Sequence, residues 1–297
     1  MRQTSVPSAG HSFAFHKMVG AGNDFVVVDA RTRPFTPDAD LVRWIADRRN
    51  GVGCDQLLAI DPAPDGEAAF AYRIWNADGG EVAQCGNGAR CLALLWATEL
   101  APVQAQTQAQ AQAFRMSSAA GPVEARVAGG AAAVSMGVPE FRPHLIPLHA
   151  TSEATRYTIG LGDRSVRLGA VSMGNPHAVI VLEELGETAL ASAPVTTLGP
   201  AIERHPAFPE RANVGFVQLL ARDRVALRVW ERGVGETLAC GTGACAAVAV
   251  LADQGAVNEL VNVDLPGGRL VVEWQGRGTP AWLSGPAGKV FEGKISL

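Results

Sequence analysis

At 297 residues the chain exceeds the usual size of one domain and has room for two. A 47% hydrophobic fraction with 18% charged residues suits a soluble globular protein, and a net charge of −4 leaves no basic footprint for nucleic acid. No apolar run approaches the ~18 residues of a membrane span. The expectation is a cytoplasmic protein with neither a nucleic-acid nor a membrane partner.

In chain order, residues 1–12 are a Ser/Gly/Pro-rich lead-in without the apolar stretch of a signal peptide, expected to be disordered. Gly22-Asn23-Asp24-Phe25 marks a turn before a buried strand at Val26–Val28. Phe70–Trp75 reads as a strand, followed by Asn76, a glycine turn and the phrase Gln84-Cys85-Gly86-Asn87-Gly88-Ala89. Ala89–Leu100 is apolar almost all round, so it is expected as a helix buried inside its domain. The alternating tract Gln104–Ala113 reads as a solvated insertion or a frayed helix extension. Val123–Val127 and Ala131–Met136 are further strands, and Pro139, Pro143 and Pro147 then interrupt the pattern. The domain boundary is placed there, giving domains 13–140 and 141–284.

The second half repeats the first. Gly174-Asn175-Pro176-His177 and Ala178–Ile180 answer the first turn and strand, and Arg228-Val229-Trp230-Glu231 answers Arg73-Ile74-Trp75-Asn76. Ala239-Cys240-Gly241-Thr242-Gly243-Ala244 answers the cysteine phrase, with an apolar helix at Ala244–Ala252 behind it. Ala170–Ser172, Val214–Leu219, Val225–Trp230, Val261–Val263 and Leu270–Trp274 are strands. A period this long means two pseudo-symmetric domains rather than a solenoid. The fold expected is α+β, each domain a mixed or antiparallel sheet curled as a barrel around a central apolar helix.

Two equivalent thiols suit proton removal from one face of a carbon and proton return to the other, the chemistry of a racemase or epimerase. Each cysteine stands at a helix start, where the dipole and open N–H groups favour a thiolate and can lower its pKa. The glycines after it let the amides of Gly86, Asn87, Gly241 and Thr242 approach a carboxylate. A pyridoxal cofactor would need a lysine, and Lys17, Lys289 and Lys294 all lie outside the repeated phrases, so no cofactor is expected. Cysteines 54, 85, 91, 240 and 245 lack zinc-site spacing, so no metal is expected either. Cys54, Cys91 and Cys245 read as core residues.

Together EVAQCGNGARC, ERGVGETLACGTGAC, MGNPH (Met173–His177), GNDF (Gly22–Phe25), GVGCDQ (Gly51–Gln56) and RANVGF (Arg211–Phe216) resemble the diaminopimelate epimerase family, in order from about Phe13 to the end of the chain. The resemblance implies a cofactor-independent enzyme that interconverts LL- and meso-diaminopimelate for lysine and peptidoglycan synthesis, usually as a homodimer. It implies that residues 285–297 return to the first domain. Cys85 and Cys240 then match the acid/base pair, and Asn23 and Gln56 match positions near the reacting amino group. Asn76, Asn175, Asn213 and Arg232 match the set for the distal carboxylate, Glu231 the partner of the distal ammonium, and His177 and Glu231 groups tuning the second thiol. Gly86, Asn87, Gly241 and Thr242 match the cradle of the proximal carboxylate. One rival is a proline or hydroxyproline racemase, which shares the two thiols but needs no distal set. Another is a redox or amino-acid-binding protein with a regulatory Cys85–Cys240 disulfide.

Overall fold

The computed structural model describes residues 12–64, 66–102 and 111–296. Of these, the residues up to Val134 together with those from Gly285 form one compact unit, and Ser135–Ser284 form a second. The lead-in and positions 104–110 of the Gln/Ala tract lie outside the described residues, apart from Ser12, which opens the first strand.

The first unit runs β1 (Ser12–Gly20), β2 (Asn23–Asp29), α1 (Ala39–Ala46), β3 (Gln56–Asp61), β4 (Phe70–Asn76), β5 (Glu81–Val82), α2 (Gly86–Leu95), β6 (Gln112–Ser118), β7 (Gly121–Ala128) and β8 (Ala131–Ser135). The second runs β9 (Tyr157–Leu161), β10 (Arg164–Ser172), β11 (Pro176–Val181), α3 (Val195–Glu203), β12 (Asn213–Ala221), β13 (Arg224–Glu231), β14 (Gly235–Thr237), α4 (Gly241–Asp253), β15 (Leu260–Leu265), β16 (Gly268–Glu273) and β17 (Trp282–Gly285). The last strand, β18 (Gly288–Ser296), returns to pair antiparallel with β1, starting from Ser12 opposite Ser296.

The two units share one topology. β1–β2 is antiparallel, β2–β3 parallel, β3–β4 antiparallel, β4–β6 parallel and β6–β7 antiparallel. β10–β11, β11–β12, β12–β13, β13–β15 and β15–β16 repeat that series in the same order. Each parallel pair requires a crossover, which α1 and α3 supply for one pair and α2 and α4 for the other. The fold is therefore the duplicated α+β arrangement expected from the repeat.

Burial on both sheet faces explains the unbroken apolar strands. Val26, Val28, Leu57, Ala59 and Trp75 face the layer holding Val42 and Ile45 of α1. Phe25 and Leu58 face the other way, where an added Cβ on Gly88 of α2 would sit 3.5 and 3.4 Å from them. α2 touches β1, β2, β3, β7 and β18, so the sheet curls around it, and all ten of its residues are buried. α4 is held in the same way by β10, β11, β12, β13 and β16.

Both central helices start three residues earlier than the apolar pattern indicates, at Gly86 and Gly241. The glycines of each phrase form the first helical turn behind a cysteine cap. α2 also stops at Leu95, and Trp96–Leu100 continue as a π-helical turn. α1 and α3 were not foreseen, being short, and α3 contains Pro200.

Candidate active site

In the first unit the topology gathers the candidate site residues at one rim. Asn23 and Gln56 open the parallel strands β2 and β3, and Asn76 closes the antiparallel strand β4, directly opposite Gln56. Asn23 follows Gly22, whose φ of 84° is readily available only to glycine, as is the 88° of Gly174 before Asn175. Cys85 caps α2 in extended conformation (φ −146°, ψ 114°) and is half-buried. The first intrahelical bond runs from Ala89 N to Cys85 O at 2.8 Å, so the amides of Gly86, Asn87 and Gly88 precede it.

The side chains of this rim are bonded to one another. Asn87 Nδ2 donates to Asn23 Oδ1 (2.7 Å), Asn23 Nδ2 to Asp55 Oδ2 (3.3 Å), and Gln56 Nε2 to Asn76 Oδ1 (2.8 Å). Gln56 Oε1 is buried and has no protein partner among the described residues. Behind the rim Asp24 accepts from Lys17 Nζ (2.6 Å) and from Arg48 (2.7 and 3.0 Å), and Arg48 also reaches Asp55 (2.8 Å). Burial alone would raise the Asp24 carboxyl, but the bonds from Arg48 and Lys17 hold it far below the ordinary carboxylate range. The sequence reading passed over Lys17, Arg48 and the two aspartates, although Asp24 and Asp55 lie inside the quoted phrases.

The second unit repeats the rim with different chemistry. Cys240 caps α4 at φ −129°, ψ 110°, nearly the geometry of Cys85. Its Sγ accepts from Gly243 N (3.3 Å) and lies 3.5 Å from Thr242 Oγ1. Where Asn76 ends β4, Glu231 ends β13; its carboxylate accepts from Thr237 Oγ1 (2.5 Å) and from the Cys240 thiol. Burial pushes the Cys240 thiol well up, and the Glu231 charge adds to the effect. Desolvation thus opposes the acidifying effect expected of the helix start. Burial also raises the Glu231 carboxyl, against the bonds from Thr237 and Cys240.

His177 on β11 stands beside Asn213, which opens the parallel strand β12. Burial, helped by the Arg232 charge, pushes His177 down to about 3, so the ring is neutral. Its Nε2 lies 3.0 Å from Asn175 Oδ1 and 3.4 Å from Asn213 Nδ2. Asn213 Oδ1 accepts from Arg232 N (2.9 Å), and the Arg232 side chain donates to Glu210 O (3.0 Å). Buried Glu203 anchors the following turn, accepting from Gly233 N (2.9 Å) and Trp230 Nε1 (2.8 Å). No signal in the sequence marked Glu203. All five cysteines are thiols, and Cys54, Cys91 and Cys245 are core residues as expected.

A duplicated fold with a helix-capping cysteine in each copy defines a class, the epimerase–racemase fold. A hydroxyproline epimerase from Agrobacterium vitis shares it at a TM-score of 0.67 with 18% identity, over 96% of this chain and 93% of that one. A methylitaconate-delta-isomerase also matches at 0.67 with 13% identity, over 98% and 96%. Within the class the sequence is more specific. The family model "Diaminopimelate epimerase" matches residues 15–142 and 169–290. A diaminopimelate epimerase of Alkalilimnicola ehrlichii is 50% identical over 285 residues, covering 95% of this chain and 98% of that protein. The chain belongs to the diaminopimelate epimerase family.

Proposed function

We propose that the chain interconverts LL-2,6-diaminopimelate and meso-diaminopimelate by a two-base mechanism, serving lysine and peptidoglycan synthesis. The observation that carries this is the pair Cys85 and Cys240, each capping the central helix of its unit with nearly the same backbone angles in a chain of this family.

In the reaction one cysteine thiolate takes the α-proton and the other thiol delivers a proton to the opposite face. Each turnover leaves the sulfurs with exchanged protonation states. Cys240, buried beside a carboxylate, favours the thiol and is suited to donate first. When the reaction runs the other way, the Cys240 thiolate takes the α-proton and the Cys85 thiol donates one to the opposite face. Neutral His177, beside Asn175 and Asn213, tunes the second thiol.

The first-turn amides of Gly86 and Asn87, with Gly241 and Thr242, hold the proximal carboxylate and stabilise the charge that develops as the α-proton leaves. Such preorganised donors contribute roughly 3–4 kcal/mol each. The open acceptor Gln56 Oε1, with Asn23 nearby, suits the reacting ammonium. Asn76, Asn175, Asn213 and Arg232 hold the distal carboxylate, and Glu231 also faces the distal ammonium. A proline racemase would have no use for this distal set. The reading extends to a cytoplasmic homodimer, tested by light scattering and cell fractionation. It is consistent with the described helices, none of which is long and apolar enough to cross a membrane.

The test is incubation of LL-diaminopimelate with the enzyme in deuterated water. Meso product carrying one α-deuterium is expected. Racemisation of proline with no action on diaminopimelate would sink the reading, and function without any α-proton exchange would favour a redox or binding role.

A further inference from the structure

Arg90 is the bulkiest fully buried side chain described, and it lies inside the buried helix α2. Burying a permanent charge is costly, so its bonds need a compensating purpose. Arg90 donates to Asn87 Oδ1 (2.9 Å) and, one turn back, to Gly86 O (3.3 Å), next to Cys85. The repeat does not share it: Gly88-Ala89-Arg90 corresponds to Gly243-Ala244-Cys245.

The chain of bonds has a forced polarity. A guanidinium only donates, so Asn87 must turn its oxygen to Arg90 and its nitrogen to Asn23. Asn23 must then present its oxygen to Asn87 and its nitrogen to Asp55, which as a carboxylate only accepts. An obligate donor at one end and an obligate acceptor at the other thus orient two amides that are free to flip elsewhere. The bond to Gly86 O also draws charge from the Gly86–Asn87 peptide and strengthens its N–H as a donor.

We propose that Arg90 is a positioning residue of the first half-site. Through Asn87, Asn23 and the Gly86–Asn87 peptide, it sets the cradle that stabilises charge developing on the substrate carboxylate. This rests on the functional reading above. Because the benefit grows as the proton leaves, loss of Arg90 falls on kcat more than on KM.

Steady-state epimerisation of LL-diaminopimelate by the full-length chain decides it, with active sites counted by substrate-protected thiol alkylation. Arg90→Met is expected to lower kcat per site by about tenfold or more, the usual effect of losing a charge-assisted bond, with KM changed far less. Arg90→Lys keeps the charge but loses the fork and should fall between. A folded Arg90→Met enzyme with kcat within about twofold of the parent, or with its loss confined to KM, would overturn the proposal. If Arg90→Met does not fold, Arg90→Lys and Asn87→Ala carry the test, and a normal kcat in both overturns it. A parent chain inactive on diaminopimelate would instead refute the functional reading, and this inference with it.

Discussion

Asp24→Asn tests the buried ion pair behind the first rim. Lys17 has a side chain only 10% exposed, and Asp24 is the carboxylate that neutralises it, so the substitution leaves a cation buried beside a neutral amide. Removing one partner of a buried pair costs about 3–5 kcal/mol. The amide keeps an acceptor for Lys17, which places the loss near the lower limit. Arg48, 58% exposed, adds at most about 1 kcal/mol. The expected loss is about 3 kcal/mol at neutral pH, read from urea unfolding followed by tryptophan fluorescence. The pH dependence has a definite sign. The Asp24 carboxyl is depressed in the folded state, so its contribution is complete above the unfolded value of about 3.9 and is lost as pH falls toward the folded one. The gap between parent and variant should therefore narrow progressively below about pH 4. A loss under about 1 kcal/mol at neutral pH, or a gap unchanged down to about pH 2.5, would refute the reasoning.

Cys85→Ala and Cys240→Ala should each abolish epimerisation in both directions while circular dichroism stays native; full activity in either removes that thiol from the mechanism. Glu231→Gln removes the charge that adds to burial in keeping Cys240 protonated, so Cys240 should ionise at a lower pH than in the parent. Ultraviolet thiolate titration in a Cys85→Ala background measures this, and an unmoved titration would disconnect the two groups. Gly169→Ala would drive a Cβ into Val250 Cγ1 where β10 packs on α4. It should cost about 1–3 kcal/mol by overpacking, and Val250→Ala on that background should recover part of the loss. Purely additive effects of the two changes would show that no clash exists.

The duplicated architecture was legible because each half offered the same ordered landmarks, and β4, β7, β8, β12 and β13 lie where β-branched runs indicated them. The short crossover helices were not, because eight or nine residues carry too little periodicity to stand out. Nor did periodicity alone disclose the closing pair β1 and β18, whose partners lie at opposite ends of the sequence. The two capping cysteines could be found from their phrase. Their unequal environments could not, since desolvation and the reach of Glu231 depend on packing. The Lys17–Asp24–Arg48–Asp55 cluster was hidden for the same reason: Asp24 and Asp55 meet across parallel strands.

The return of β18 to β1 has a consequence for how the protein is made. Ser135–Ser284 is one continuous stretch of chain, so the second unit can assemble as soon as it leaves the ribosome. The first unit, although translated earlier, must wait with the outer edge of β1 uncovered until β18 has been translated. The half that begins first finishes last. During that interval β1 exposes an unsatisfied strand edge, the kind of surface on which nascent chains pair wrongly and chaperones act.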